Sequence, residues 1–348
     1  MTSVTVIIPT CNRPDYLREA LESVRGQTAR TRIGQVVVSE NSLSDASAEV
    51  CRKFADLPIL YLSQRPPLPP LLHAQVIWEY VQHPLVAILH DDDWWASWHI
   101  AAALNVLDSN TSCVGVVSQF YETQGPSHFF NIAPRLWLFW VATGCDFSKP
   151  ALILSDEQVL LGELLSPCFH FSTMVGRLTA FKDAFQNVCA SGNDFDTDRM
   201  IGSFLADHGK LAFLTMPDTF IRQHDDQEAR RPELFTETEE KIPVFMDKMR
   251  KTSRWLARRD PRLLKQAADV FNKNLSCLPP QAANRVKNII PEPLRKVLVE
   301  ECGFTHEIVS GIPPLGGLNT SFPWLLKQLC PPALISIMRR LAGAWTNL

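Results

Sequence analysis

Short apolar runs alternate with amphipathic segments over the first ninety residues of the chain. Val4–Ile8 is a β-branched run, and Pro14–Val24 repeats its apolar residues on one helical face, with the proline suited to the first turn. Continuous rather than alternating apolar strands, separated by helices, predict a parallel sheet covered on both faces. The other predicted strands are Val36–Val38, Ile59–Leu62 and Leu85–Leu89, and the other predicted helices are Ser44–Phe54, with its serine as cap, and Leu72–Val81.

The pattern is less regular after residue 110. Leu136–Val141 is the most lipophilic short run, either a core strand or a surface wedge, and burial statistics favour the core. Leu211–Leu214 and Thr219–Arg222 are predicted to be two closing strands. From about residue 230 prolines divide the chain into short, basic, amphipathic segments. The sequence therefore predicts a boundary near residues 227–232.

Composition and charge sharpen this division. The hydrophobic fraction of 46% and the charged fraction of 20% exclude wholesale disorder. The 348 residues carry a net charge of -3, but residues 1–229 hold 15 Lys+Arg against 26 Asp+Glu, a net of -11. Residues 230–348 hold 19 Lys+Arg against 11 Asp+Glu, a net of +8. A basic tail suits packing on its own domain, a membrane surface or a partner; the acidic body argues against nucleic acid.

The sequence also predicts the cellular compartment of the protein. The first ten residues have no basic region, and their apolar run stops at Pro9, which is too short for a signal peptide. No stretch reaches the roughly 18 uncharged apolar residues of a transmembrane helix. The nine cysteines are an odd number without a CxxC pair or a zinc-ligand spacing. These features predict a cytoplasmic protein with reduced thiols.

The sharpest chemical feature is the segment His90–Trp95, which reads HDDDWW and directly follows the apolar run LVAIL. In open α/β sheets ligands bind at the carboxyl ends of the strands, where this segment lies. Three adjacent carboxylates repel each other unless a cation or solvent relieves them, and oxygen ligands favour Mg²⁺ or Mn²⁺. The alternative is an acidic, solvated helix start, which the neighbouring tryptophans make less attractive.

Two further strand ends fall on the same predicted edge of the sheet. Pro9–Arg13 closes the first strand and Ser39–Ser42 closes the second, and both combine hydroxyl, amide and charged groups that could bind a base or ribose. Asn12 and Ser42 could instead be simple helix caps. Neither GxxxxGK[ST] nor GxGxxG follows the first strand, which disfavours P-loop and Rossmann dinucleotide sites.

These motifs together resemble family 2 glycosyltransferases with the GT-A fold. VTVIIPTCNRPDYLREALESVRGQT followed by QVVVSENSLSD is similar to the opening of that family, and ILHDDDWW is similar to its aspartate motif. The resemblance covers residues 1–110 well and 165–226 loosely. It implies an α/β GT-A fold with a mostly parallel central sheet flanked by helices. The implied domains are a catalytic domain over 1–229, with a nucleotide-binding half over 1–110 and an acceptor half over 111–229, and a helical, basic C-terminal region over 230–348.

The resemblance also implies a donor site. Glu40 stands where the family usually has Asp and would accept a hydrogen bond from the base, and Asp91 would approach the ribose. The family often has an Arg-Asn pair on the preceding helix; Gln75 could stand for the Asn, but no Arg is present, so His73 or Arg65 could supply phosphate contacts. The implied nucleotide contacts are Pro9, Thr10, Asn12, Arg13, Glu40, Asn41, Gln75 and Asp91.

The metal and catalytic residues follow from the same resemblance. Asp92 and His224 would hold Mn²⁺ or Mg²⁺ at the donor phosphates. Asp198 takes the position of the catalytic base, with Thr197 replacing the family's Glu, and Asp194 and Asp196 are rival bases. Trp94 and Trp95 could instead pack under the sheet, and His170 could be a buried structural histidine. The candidate acceptor or sugar contacts are Asp93, Trp94, Trp95, His170 and Asp196.

The function that this resemblance implies is a metal-dependent, inverting transfer of a sugar from a nucleotide-diphosphate donor, with UDP favoured. The acceptor would be a glycan or lipid-linked glycan hydroxyl in surface-polysaccharide synthesis, at the inner face of the plasma membrane. One alternative is a nucleotidyltransferase that makes sugar nucleotides, although PTCNRPD lacks the glycine-rich loop expected after its first strand. The other alternative is an inactive sugar-nucleotide-binding or scaffolding module.

Overall fold

The computed structural model describes residues 2–125, 131–132, 139, 143–144, 148–165, 169–190, 197–224, 261–276 and 299. Ten described strands form one sheet in the order β3-β2-β1-β4-β9-β6-β10-β5, with β7 beside β6 and β8 beside β10. The strands are β1 Val4–Thr10, β2 Ile33–Glu40, β3 Ile59–Ser63, β4 Leu85–Ile88, β5 Trp94–Trp95, β6 Cys113–Thr123, β7 Asn131–Ile132, β8 Ala151–Ile153, β9 Met174–Arg177 and β10 Lys210–Arg222.

The sheet has a parallel half and a mixed half. β3, β2, β1 and β4 run parallel, as their continuous apolar sequences predict, and β6 and β10 are also parallel to each other. β9 is antiparallel to both of its neighbours, β4 and β6. The carboxyl ends of β1, β2 and β4 therefore meet at one edge, where the three sequence motifs lie.

Eight described α-helices accompany the sheet. They are α1 Pro14–Arg25, α2 Ala46–Arg52, α3 Pro70–Ile77, α4 His99–Ser109, α5 Asp156–Leu165, α6 Leu178–Ala190, α7 Thr197–Ala206 and α8 Pro261–Ser276. Two hydrophobic cores lie on the two faces of the sheet: Val6 and Ile8 belong to one, while Ile7 belongs to the other. This alternation along β1 explains why the strand is apolar at every position, and it confirms the prediction of a sheet covered on both faces.

Two predicted helices differ in their limits. α1 matches its prediction closely, but α2 is shorter than Ser44–Phe54, and its N-cap residue is Asp45 rather than the serine. The Ser44 hydroxyl still accepts a hydrogen bond from the Ala46 amide at 3.2 Å, so it closes a turn before the helix. The helix predicted over Leu72–Val81 begins earlier, at a proline in the first turn, and ends in a 3₁₀ turn.

The two closing strands predicted over 211–214 and 219–222 are one strand, and the prediction of a break was wrong. β10 runs from Lys210 to Arg222, and its pairing with β6 shifts register between Leu214 and Thr219. Pro217 lies in this shift and has no N–H for the ladder, so an irregularity forms while the chain stays extended. The strand thereby carries Arg222 and His224 to the edge at which β4 ends.

Part of the C-terminal region is also described. α8 contacts α5 and buries Ala267, Ala268 and Phe271, which is the packing that the sequence favoured for the tail. Phe139, from the lipophilic run predicted as core, is fully buried against Phe169 and Phe213; the rest of that run lies outside the described residues. The predicted domain boundary lies outside them as well. Within the described parts of the chain, no helix combines the length and apolar character that crossing a bilayer requires.

Candidate active site

The turn between β1 and α1 forms one side of the site. Thr10, the last residue of β1, donates its hydroxyl hydrogen bond to Asp91 Oδ2 at 2.7 Å. Asn12 has a left-handed backbone conformation with φ 54°, which asparagine tolerates better than most side chains. Arg13 then places one guanidinium nitrogen 3.3 Å from Asp91 Oδ1 and 3.2 Å from Asp92 Oδ2. The turn thus joins the ends of β1 and β4.

The three carboxylates after β4 are buried rather than solvated. The exposed fractions are 4% for Asp91, 9% for Asp92 and 2% for Asp93, which contradicts the alternative of an acidic, solvated helix start. Asp93 accepts hydrogen bonds from the Ser172 hydroxyl at 2.6 Å and from the Arg222 amide at 3.0 Å. Each carboxylate therefore has its own protein donors, which offsets much of the cost of burying adjacent charges.

The pKa values of these carboxyls diverge. Burial and the charge of Asp92 raise the pKa of Asp91 to about 6, although Arg13 and Thr10 oppose the rise. Burial also acts to raise the pKa of Asp92, but the hydrogen bond from His224 and the positive charges of His90 and Arg13 outweigh it and lower that pKa to about 2. Burial and Asp92 raise the pKa of Asp93 well above its ordinary range. Asp92 is therefore the carboxylate that stays ionised.

The end of β10 supplies the opposite side of the site. His224 Nε2 lies 3.0 Å from Asp92 Oδ2, within hydrogen-bond distance. Arg222 donates its Nε hydrogen bond to the Asp92 carbonyl at 2.9 Å and forms an ion pair with Glu19 of α1. Its guanidinium also lies over the rings of Tyr16 and Trp94, at 4.6 and 4.8 Å from their centroids.

Sequence reasoning missed Arg222 and the α1 residues that hold it. The available signal was the position of Arg222 two residues before His224, at the end of a strand predicted to close the sheet. Its contacts with Glu19 span more than two hundred residues of sequence, so no local pattern could indicate them.

The aromatic residues after the cluster separate into two environments. Trp95 is 3% exposed, donates its Nε1 hydrogen bond to the Ser172 carbonyl at 2.6 Å and stacks on His99. The structure therefore supports packing under the sheet for Trp95 and not a sugar contact. Trp94 is only partly buried and stacks on Phe220. It lies beside Arg222, on the margin of the site.

His170 lies close to the cluster, as predicted for the acceptor side. Its Nδ1 is 3.8 Å from Asp93 Oδ2 and accepts a hydrogen bond from the Ser172 amide at 3.3 Å. The His90 ring meets the His170 ring edge-on, with centroids 5.1 Å apart. His170 is partly exposed, so one side of it remains accessible beside the carboxylates.

Several predicted contacts do not face the site. Glu40 is fully buried. The Asn41 side chain accepts a hydrogen bond from the Leu68 amide at 2.8 Å and donates one to the Leu68 carbonyl at 2.9 Å. Gln75 interacts with the thiol of Cys189 on α6. His73, considered for phosphate, is buried against the Ser39 hydroxyl at 2.8 Å.

The side chains of two predicted acceptor-side residues lie outside the described residues. Asp198 belongs to the first turn of α7, but its side chain is outside the described residues, and Asp196 is outside them altogether. Arg65, the other residue considered for phosphate, forms an ion pair with Asp45. The predicted roles of Asp198 and Asp196 stay predictions.

The residues present fit a divalent cation. A carboxylate oxygen of Asp92 and the imidazole nitrogen of His224 lie side by side, and both atoms are ligands that Mn²⁺ accepts. The low pKa of Asp92 keeps that ligand ionised, as coordination requires.

Comparison with known proteins finds one family over part of the chain. Residues 5–150 match the model of Glycosyl transferase family 2. Over this segment the chain is similar to that family. A segment of 63 residues is 43% identical to glycosyltransferase GlyA of Streptococcus pneumoniae serotype 4, covering 18% of this chain and 9% of that relative. The match therefore spans less than a tenth of the curated relative.

Solved structures establish the GT-A fold of this chain. Residues 1–349 of S. aureus TarS superpose with a TM-score of 0.54, and the same fragment in complex with UDP-GlcNAc gives 0.56. Each is 14% identical in sequence, and each superposition covers 85% of this chain and 83% of the other. The family and fold predicted from the strand-end motifs are confirmed.

Proposed function

We propose that this family 2 glycosyltransferase transfers a sugar from a nucleotide-diphosphate donor, with UDP as the nucleotide, by a metal-dependent and inverting mechanism. The observation that carries the proposal is the buried contact network joining Thr10 and Arg13 to Asp91 and Asp92, with His224 on the far side. The UDP-GlcNAc complex of TarS, which shares the fold, supports the choice of UDP.

Each residue at the donor has a distinct role in this proposal. Asp92 and His224 would hold the divalent cation, which when bound supplies Lewis-acid stabilisation of charge on the leaving diphosphate. Arg13 adds a fixed positive charge beside the same carboxylates. Thr10 orients Asp91, which approaches the ribose. Pro9 and Asn12 shape the turn against which the nucleotide lies.

The acceptor side needs a separate carboxylate. In an inverting transfer the acceptor hydroxyl attacks the anomeric carbon from the face opposite the diphosphate, and a base within hydrogen-bond reach takes its proton. We assign this role to Asp198 on α7, with Asp196 beside it as an acceptor contact. His170 and Trp94 are described side chains that border this side, and Ser172 links Asp93 to His170 by donating a hydrogen bond to each.

The acceptor is proposed to be a hydroxyl of a glycan or lipid-linked glycan in surface-polysaccharide synthesis. The net charge of +8 over residues 230–348 would attract the chain to an anionic membrane surface at the inner face of the plasma membrane. Flotation of the full chain with anionic but not neutral vesicles, reversed by high salt, is the expected result. Equal recovery with both vesicle types would refute the membrane contact.

A thermal-shift screen tests the donor proposal. We expect UDP to raise the melting temperature only together with Mn²⁺, and GDP, dTDP and CMP to have smaller effects. Asp92→Asn should remove the metal dependence. Asp198→Ala should keep the UDP response but abolish sugar transfer, because the base acts only on the acceptor. No response to any nucleotide would refute the proposal, and binding without transfer by the wild type would indicate an inactive module.

A further inference from the structure

Glu40, at the end of β2, lies at the position where the family usually has Asp, but its carboxylate is enclosed by the protein. Its exposed fraction is 0%. One oxygen, Oε1, accepts a hydrogen bond from the Asn12 amide at 3.0 Å, and the other, Oε2, accepts one from the hydroxyl of Ser47 on α2. A carboxylate that reads a base must present an oxygen to the binding cleft, and this one is turned inward.

The backbone amide that Glu40 holds belongs to Asn12, which lies at a strained point of the turn between β1 and α1. Asn12 has φ 54°, a left-handed conformation that needs support from its surroundings in residues other than glycine. The residues on either side of the Cys11–Asn12 pair are Thr10 and Arg13, which contact Asp91 and Asp92. Fixing the Asn12 amide therefore fixes the direction in which Arg13 leaves the turn.

We propose that Glu40 is a positioning residue that acts through the Asn12 amide to hold Arg13 and Thr10 on the carboxylate cluster, and that it does not read the donor base. This inference rests on the proposed function, since it assumes a metal-diphosphate donor at Asp92. Glu40 then sets the affinity for the diphosphate end of the donor, whatever base is attached.

The length of the side chain explains why Glu is present. Aspartate is shorter by one carbon–carbon bond, about 1.5 Å, and could not span from β2 to both Asn12 and Ser47. If the Asn12 amide or the Ser47 hydroxyl did not donate, a buried oxygen of the Glu40 carboxylate would be left unpaired, which is costly.

Isothermal titration of Mn²⁺·UDP and of Mn²⁺·pyrophosphate, which has no base, separates the two roles. We expect Glu40→Asp to weaken both ligands by a similar factor of about ten, because the turn loses its support. Glu40→Gln keeps a carbonyl oxygen for Asn12 and should stay within about threefold of the wild type. Glu49→Asp, an exposed change on α2, is the matched control and should have no effect.

The outcomes are distinct. If Glu40→Asp weakens UDP but leaves pyrophosphate unchanged, or binds UDP as well as the wild type, Glu40 is not a positioning residue. Should Glu40→Asp fail to fold, Ser47→Ala removes the other hydrogen bond of Glu40, and it should weaken both ligands equally but less. A Ser47→Ala variant that affects neither ligand would then overturn the inference. Failure of the wild type to bind either ligand would instead refute the proposed function.

Discussion

Three consecutive carboxylates can be buried here because each meets a different part of the chain. Asp91 is held by the β1–α1 turn, Asp92 by His224 and Arg13, and Asp93 by Ser172 and the Arg222 amide. Burial and mutual repulsion still separate their protonation, raising the pKa of Asp91 while Asp92 stays ionised. The residue-scale consequence is a cluster of buried carboxylates whose contribution to stability depends on pH.

Asp91 should make the free energy of unfolding fall as pH rises. Its pKa is about 6 in the folded protein against 3.8 as the ordinary value, so its contribution is complete below pH 3.8 and is lost as pH rises through 6. Between pH 4.5 and 7.5, the free energy of unfolding of Asp91→Asn should fall less than that of the wild type, by on the order of 2 kcal/mol. Urea unfolding in EDTA measures this, with the exposed Asp15→Asn as control. If the free energy of unfolding depends on pH in the same way for the wild type and Asp91→Asn, the raised pKa of Asp91 is contradicted.

Ser172 should be important for stability although it is far from Asp93 in sequence. Its buried hydroxyl donates to Asp93 Oδ2 and accepts from the His90 amide at 3.0 Å. Ser172→Ala leaves both groups without this partner and should lower the free energy of unfolding by about 2 kcal/mol. Ser172→Thr keeps the hydroxyl and should recover part of the loss. Equal stability of the alanine variant and wild type in urea would show that the hydrogen bonds contribute nothing.

At the scale of elements, the centre of the sheet depends on a pair of glycines. Gly115 on β6 and Gly176 on β9 lie opposite each other, and the Phe181 ring of α6 occupies the space above them. A Cβ on Gly176 would lie 2.2 Å from Phe181 Cε2 and 2.5 Å from the Val114 carbonyl oxygen. Because that oxygen belongs to the backbone of β6, it cannot move aside without disturbing the ladder.

Gly176→Ala should therefore destabilise the protein by about 2 kcal/mol or more, as overpacking does in a close-packed core. Gly26→Ala is the matched control: its Cβ would come no closer than 3.4 Å to Glu22, and its φ of -78° suits any residue. The free energy of unfolding from urea denaturation compares the two variants. Equal losses at both positions would show that the contact with Val114 relaxes at no cost.

The same elements show what sequence could and could not predict. Periodicity located the strands of the parallel half because each is apolar throughout and bounded by helices, as in Val4–Thr10. It missed the continuity of β10, since Pro217 suggests a break that sheet pairing overrides. The family resemblance implied a base contact for Glu40. The hydrogen bonds of Glu40 to Asn12 and Ser47 depend on how two elements meet, so no local pattern could predict them.

At the scale of the whole molecule, at least one helix of the basic C-terminal region packs on the acidic body. α8, from the region of net charge +8, buries Ala267, Ala268 and Phe271 while Arg262, Lys265 and Lys273 stay exposed. The apolar face of α8 is directed to the body, where it contacts α5, and basic side chains remain on its solvent side. A basic surface for membrane contact and a tail packed on its own domain are therefore compatible.

This packing predicts that the tail and the body unfold together. Phe271 is 1% exposed, so Phe271→Ala should lower the free energy of unfolding by about 3 kcal/mol in one cooperative transition. Lys265→Ala, an exposed change on the same helix, should leave that transition within about 0.5 kcal/mol of the wild type. Urea denaturation followed by tryptophan fluorescence reports mainly on the body, because six of the nine tryptophans, with Trp95 in the core among them, lie in residues 1–229. If Phe271→Ala leaves the fluorescence transition unchanged and adds an earlier one seen by circular dichroism, the tail unfolds on its own and α8 does not stabilise the active site.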